Sequence, residues 1–292
     1  MFAKGKTSLI AIFMTAVVLV TSLTVTAFAE GGLSSGSSAE KTSETSTKTE
    51  ASVDELATAK PKAYVAKTTG WEDIAAWKAV NSDVVGWLKI PNTNINHAVV
   101  MGATTSYYMA LDYYKKPSRN GVIWADSKVK TGKRTELSKN TVLYGHNWTN
   151  YAAPLQITRA SDVMFGQLPS YHFIEFAQTH PYIYYSTEAE QMTWQVFAVF
   201  YTEDSFNYIA ANPSDALLQK IIDEAKSRSL HDFDVEVTAK DKILTLSTCT
   251  RIYGRRDDQR FVVMAKLLPA DQKLASVTVT PNTDFKPPQF KY

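Results

Sequence analysis

Apolar positions in this chain fall largely into short runs that alternate with polar ones, the spacing of strands rather than helices. Strand-like runs cover residues 84–90, 98–101, 122–125, 141–146, 182–186, 194–201, 243–249 and 261–268. Turn signals such as Pro91-Asn92-Thr93-Asn94 and Arg119-Asn120-Gly121 separate several of them. Helical spacing is rarer. A capping-box pattern at Thr69-Gly70-Trp71-Glu72 opens a helix to about Asn81, with Trp71, Ile74, Ala75 and Lys78 in register. Further helical pieces are predicted at 105–111, at 171–178 and from about Pro213. The last has proline at its first turn and Leu217, Leu218, Ile221, Ile222 and Ala225 as the stripe that packs on the sheet. Eight short strands with few helices predict an all-β fold, a closed eight-stranded β-barrel with peripheral helices.

The ends differ from this middle. Lys4 and Lys6 precede an apolar run over residues 8–25 and then Ala27-Phe28-Ala29, a small-x-small cleavage pattern, so residues 1–29 read as an export segment. The run is long enough to span a bilayer, which favours an uncleaved anchor with the protein on the outer face of the membrane. Cleavage near Ala29 and secretion is the alternative. Residues 30–68 are Ser/Thr-rich and almost devoid of large apolar groups, a flexible tether. The folded domain is expected over 69–268. Residues 269–292, with Pro281, Pro287 and Pro288 and no periodicity, are expected to be extended or disordered.

Composition narrows the function. The 292 residues are 45% hydrophobic and 12% aromatic, enough for a large core. A net charge of +2 with no basic stripe argues against nucleic acid as a partner. No HExxH or paired Cys/His spacing suggests a metal, and no cofactor is implied. The single cysteine has no partner for an internal disulfide, so in an exported protein it is a buried packing residue, an intermolecular link or a reactive thiol.

That cysteine, Cys249, ends the strand-like run Ile243-Leu244-Thr245-Leu246-Ser247-Thr248-Cys249. A polar link follows, then the run from Arg260 to Leu268. If the two pair as antiparallel neighbours, Arg260 faces Cys249 at roughly 5 Å between Cα atoms. A thiol needs a nearby imidazole or cation to act as a nucleophile, and a guanidinium can stabilise the oxyanion of an acyl transfer. Among five histidines, His146 is the best candidate base, because it ends the run Thr141-Val142-Leu143-Tyr144-Gly145-His146 with a glycine beside it. His97, His172, His180 and His231 read as surface or core residues. Ser247 and Thr248, which lead into the cysteine, are candidate substrate contacts.

These segments resemble the sortase family. Thr245-Leu246-Ser247-Thr248-Cys249 matches the TLxTC signature, Tyr144-Gly145-His146-Asn147 is similar to the family's histidine segment, and the run from Arg260 to Leu267 is similar to its arginine strand. Val85-Gly86-Trp87-Leu88-Lys89-Ile90-Pro91, Asp112-Tyr113-Tyr114-Lys115, Met164-Phe165-Gly166 and His180-Pro181-Tyr182-Ile183 resemble class B sortases in particular. The resemblance, over about residues 70–268, implies a cysteine transpeptidase on the outer face of a Gram-positive membrane. Its implied substrates are surface proteins bearing a C-terminal sorting motif, and its implied acceptor is a peptidoglycan precursor or other cell-wall amine. It also implies that Cys249 is the nucleophile, His146 the acid and base, and Arg260 the oxyanion stabiliser.

Residues 148–163 form a longer segment after the histidine than class B sortases lead one to expect, either a wall or lid of the substrate groove or a surface insertion. Two other readings stay open: a secreted cysteine peptidase with water as acceptor, and a non-catalytic wall-associated β module.

Overall fold

The structure, a computed structural model, describes residues 73–291. Residues 1–72, with the expected export segment, tether and capping box, lie outside the described residues. Among the described residues no helix is long and apolar enough to cross a membrane.

Eight strands close into a barrel: β1 (Val84–Lys89), β2 (Asn96–Val100), β3 (Ile123–Ala125), β4 (Asn140–Tyr144), β5 (Tyr182–Ser186), β6 (Thr193–Glu203), β8 (Ile243–Cys249) and β9 (Gln259–Leu267). The order around the barrel is β1-β2-β3-β4-β8-β9-β6-β5. The β2–β3 and β4–β8 pairs are parallel and the rest antiparallel. Closure leaves no free sheet edge in the barrel, which agrees with the predicted architecture. Two short strands outside it, β7 (His231–Phe233) and β10 (Val279–Pro281), pair antiparallel. Apart from β10, the described residues after β9, 268–291, have no regular secondary structure.

The core lies inside the barrel and under its helices. Leu88, Val99, Trp194, Phe197, Leu244, Leu246, Val262 and Val263 are at most 1% exposed. A second cluster, with Ile74, Trp87, Val100, Tyr108 and Trp124, packs under α1 (Ile74–Val80). A short 3-10 helix (Leu168–His172) and α2 (Ile174–Thr179) occupy the region predicted as a helix at 171–178. The longest helix among the described residues is α3 (Asp215–Arg228). Its N-cap is Ser214, whose Oγ accepts from the Leu217 N–H at 3.2 Å, with Asp215 in the first turn and Lys226 and Arg228 in the last.

The structure corrects three local expectations. Residues 105–111 form successive turns with bonds to the third preceding carbonyl, such as Tyr107 N to Thr104 O and Met109 N to Ser106 O, and not an α-helix. Pro213 stands before the cap of α3, not in its first turn, and Leu217 is exposed while Leu218, Ile221, Ile222 and Ala225 are buried. Strand β4 ends at Tyr144, two residues before His146.

Candidate active site

The parallel pairing of β4 with β8 matches Tyr144 with Ser247. Two residues further along each chain come His146 and Cys249, so the same register brings them level at the ends of neighbouring strands. Side-chain bonds extend the match past the ladder: Thr248 Oγ1 donates to Gly145 O at 2.7 Å and Asn147 Nδ2 to Cys249 O at 3.4 Å. On the other side of β8, Cys249 is directly opposite Arg260 in the antiparallel ladder with β9. Three stretches distant in sequence thus end at one rim of the barrel. Cys249 is exposed, although the rest of β8 is buried, which disposes of the reading as a packing residue.

The imidazole of His146 is fenced in. Its Nε2 lies 2.6 Å from Met109 O; a carbonyl can only accept, so Nε2 carries the proton and Nδ1 holds the lone pair of the neutral ring. Trp124 and Trp148 flank the ring at centroid distances of 5.5 and 5.3 Å. Trp148 is itself fixed by its Nε1–H on Arg119 O at 2.9 Å and by the Arg119 guanidinium 4.9 Å from the ring centroid. None of Met109, Trp124 or Trp148 has a signature that ties it to a histidine in sequence; Trp124, on the predicted strand 122–125, was the nearest to being legible.

Arg260 is anchored by one nitrogen, Nη1, which donates to Asp257 O at 2.6 Å and to Gln259 O at 2.8 Å. Its charge reaches two tyrosines below the rim. Burial pushes Tyr208 up to about 12, while its bond to Ser247 and the positive charge of Arg260 act against that rise. Burial, then Asp126, likewise raises Tyr144, and Arg260 opposes the shift. Ser247 and Thr248 are each 2% exposed; the Ser247 hydroxyl bonds Tyr208 Oη at 2.9 Å and that of Thr248 is taken by Gly145. What these two residues contribute is the floor under the cysteine rather than free hydroxyls.

Burial pushes His97, on β2, down to about 4 and also lowers His172, His180 and His231. His180 stacks on Phe176 at 3.9 Å and His231 bonds Tyr171 O at 3.0 Å.

Segment 148–163 is fixed beside the cysteine. Tyr151 O accepts the Arg251 N–H at 2.6 Å and the Thr250 hydroxyl at 3.0 Å. Inside the segment, buried Asn150 exchanges bonds with Gln156 at 2.7 and 3.0 Å, and its own N–H is held by Asn147 Oδ1 at 3.0 Å. The segment is thus anchored to the loop that leaves the cysteine rather than loose. Exposed Trp148, Tyr151 and Tyr253 stand on the loops that leave His146 and Cys249, apolar surface suited to a peptide. No cluster of metal-ligating side chains occurs among the described residues.

The sortase-domain profile matches residues 88–268, more than half of the chain. The chain belongs to the sortase family. It is 33% identical to sortase B of Staphylococcus aureus over 190 residues, covering 65% of this chain and 72% of that protein. Sortase B of Listeria monocytogenes is 29% identical over 179 residues, covering 61% and 67%. The solved S. aureus sortase B–substrate complex superposes with a TM-score of 0.58 at 31% identity, covering 68% of this chain and 86% of that one. Clostridium perfringens sortase B gives 0.56 at 28%, covering 67% and 99%. This sortase is accordingly a cysteine transpeptidase of class B type.

Proposed function

We propose that this sortase cleaves a C-terminal sorting motif of exported proteins and transfers the acyl group to a cell-wall amine. The Cys249 thiolate attacks the scissile carbonyl, and the negative charge that develops on the carbonyl oxygen is met by the Arg260 guanidinium. Protonated His146 gives its proton to the leaving amine as the C–N bond breaks, leaving a thioester on Cys249 and a neutral imidazole. The acceptor amine then attacks the thioester, His146 takes its proton, and the C–S bond breaks to restore the thiolate. The N-terminal segment holds the enzyme at the outer face of the membrane, where exported substrates pass.

The observation that carries this reading is that the β4–β8 and β8–β9 registers bring His146, two residues past the end of β4, and Arg260 to the two sides of Cys249. It is supported by the relatives: S. aureus sortase B has been solved with a substrate, and a sortase B has been solved with triglycine. Incubating the full-length chain with a panel of sorting-type pentapeptides, with and without triglycine, and reading products by mass spectrometry tests it. The expected result is a triglycine adduct, a mass on Cys249 equal to the acyl fragment, and no cleavage by Cys249→Ala. Cleavage that persists in Cys249→Ala rejects the mechanism. A product that is hydrolysed whether or not triglycine is present assigns a peptidase instead.

A further inference from the structure

The C-terminal segment lies beyond the stretch matched by the sortase domain, yet it is bonded to the end of α3 and, in its last residues, to the link that precedes Arg260. After β10, the Asn282 N–H meets Leu230 O at 3.0 Å and its Nδ2 meets Ser229 O at 2.9 Å. The Lys286 N–H donates to Ser227 O at 2.8 Å and its Nζ to Glu224 at 2.7 Å. The Gln289 N–H reaches Glu203 Oε2 at 2.9 Å, at the end of β6, where Glu203 is also held by two bonds from buried Arg228. Phe290 then closes on the link between β8 and β9. The Arg256 guanidinium lies over its ring at 4.2 Å, the Tyr253 ring is 5.7 Å away, and Arg256 Nη2 donates to Lys291 O at 3.1 Å.

That link holds Arg260 in turn. Asp257 O takes Arg260 Nη1, and the neighbouring Arg256 and Asp258 are joined by two bonds of 2.7 and 2.8 Å. On its outer side the link is open: Arg251, Tyr253, Gly254, Arg255 and Asp257 are exposed. Gln259 ties the link from within, through Tyr253 N–H, Gly254 O and Arg256 O, and Asp258 O takes the Asp204 N–H, but Arg255 and Asp257 on either side of Arg256 are exposed, and a shift there moves the carbonyl that anchors the guanidinium. We propose that the C-terminal segment is a strap, with Phe290 and Arg256 acting as positioning residues that fix the Asp257 carbonyl and so set the guanidinium of Arg260 for oxyanion stabilisation. The inference rests on the role given to Arg260 above.

The test compares the full-length chain with one lacking residues 284–292 and with Phe290→Ala and Phe290→Tyr. Each is assayed on the panel pentapeptide cleaved fastest, with thermal melts to measure the folded fraction. Truncation and Phe290→Ala should lower kcat about tenfold with KM held within about twofold, the size expected of a misplaced donor, and Phe290→Tyr should restore the rate. Deuterium uptake over residues 250–258 should rise in the truncated chain. In an Arg260→Lys background the truncation should cost less than about twofold more, because the group it positions is already altered. An unchanged kcat, unchanged uptake, equal losses in both backgrounds, or a loss that disappears after correction for folded fraction overturns the strap. Wild-type kcat in Arg260→Lys instead overturns the assignment of Arg260, and the two failures are thereby told apart.

Discussion

Gly121 decides whether the His146 ring can stand where it does. Its φ is +60°, and a Cβ built on it would lie 2.9 Å from His146 Cδ2 and 3.4 Å from Met109 O. Alanine there meets two penalties, the left-handed backbone, about 1–2 kcal/mol, and a methyl group pressed against the imidazole. The ring cannot retreat, because Trp124 and Trp148 flank it and Met109 O holds Nε2. Gly121→Ala should therefore reduce kcat by at least about tenfold through displacement of the imidazole, in a chain that still melts cooperatively. Steady-state kinetics alongside a melt check this; a variant with lowered stability and full kcat would show the contact to be irrelevant to the chemistry. Sequence marked Gly121 as part of a turn, which it is, but not as a neighbour of His146. That Cys249, His146 and Arg260 meet at one rim was legible because each stands at or just beyond the end of a patterned strand. Met109 acts through its carbonyl, which every residue type has, so no pattern could single it out.

Elements were legible in proportion to their length and to the faces they bury. Seven of the barrel strands run five residues or more and show alternation or continuous apolar runs; β3 has only three residues but all are apolar and buried, whereas β7 and β10, equally short, mix buried and exposed positions and show no run. Residues 105–111 carry apolar groups at helical spacing, but of these only Tyr108 is buried, and its hydroxyl is committed to Asp83 at 2.6 Å and Asn81 at 2.8 Å. That anchoring favours tight turns over a continuous helix. Helix α3 shows how a correct stripe can contain a wrong member. At about 100° per residue, buried Leu218, Ile221, Ile222 and Ala225 fall within a stripe about 100° wide and Leu217 lies about 40° outside its edge; Leu218 is 0% exposed and Leu217 is 38%. Leu218→Ala should cost about 2–5 kcal/mol in urea unfolding and Leu217→Ala no more than about 0.5 kcal/mol. Equal effects at the two positions would mean that the helix is rotated from its described setting.

For the molecule as a whole, the four histidines other than His146 are each partly desolvated and lowered in the folded state, and this gives folding a pH dependence separate from that of the reaction. Burial pushes His97 from 6.5 down to about 4, with the carbonyl bond at Asn94 opposing, and His172, His180 and His231 are lowered as well. The His97 Nε2 is sealed from solvent with no partner, so a proton there has nowhere to be stabilised. The unfolded chain, by contrast, protonates each histidine near 6.5. Between about 6.5 and 4 the unfolded state binds more protons, so stability is fully present above that window and falls as pH drops through it. His97 alone accounts for at most about 3 kcal/mol of that loss. Carboxylates lowered by ion pairs, such as Asp215 at about 2 between Lys139 and Lys240, are depressed below the usual carboxylate range; their contribution is present above the unfolded value near 3.8 and is lost only at more acid pH. Urea midpoints should thus decline from pH 7 to pH 5.5, above the values near 4.5 and 3.8 at which the unfolded glutamates and aspartates take up protons. His97→Gln should flatten part of that decline, because glutamine takes up no proton in either state. A midpoint constant over this range, or a decline of the same slope in His97→Gln, would place the acid sensitivity elsewhere than in these histidines.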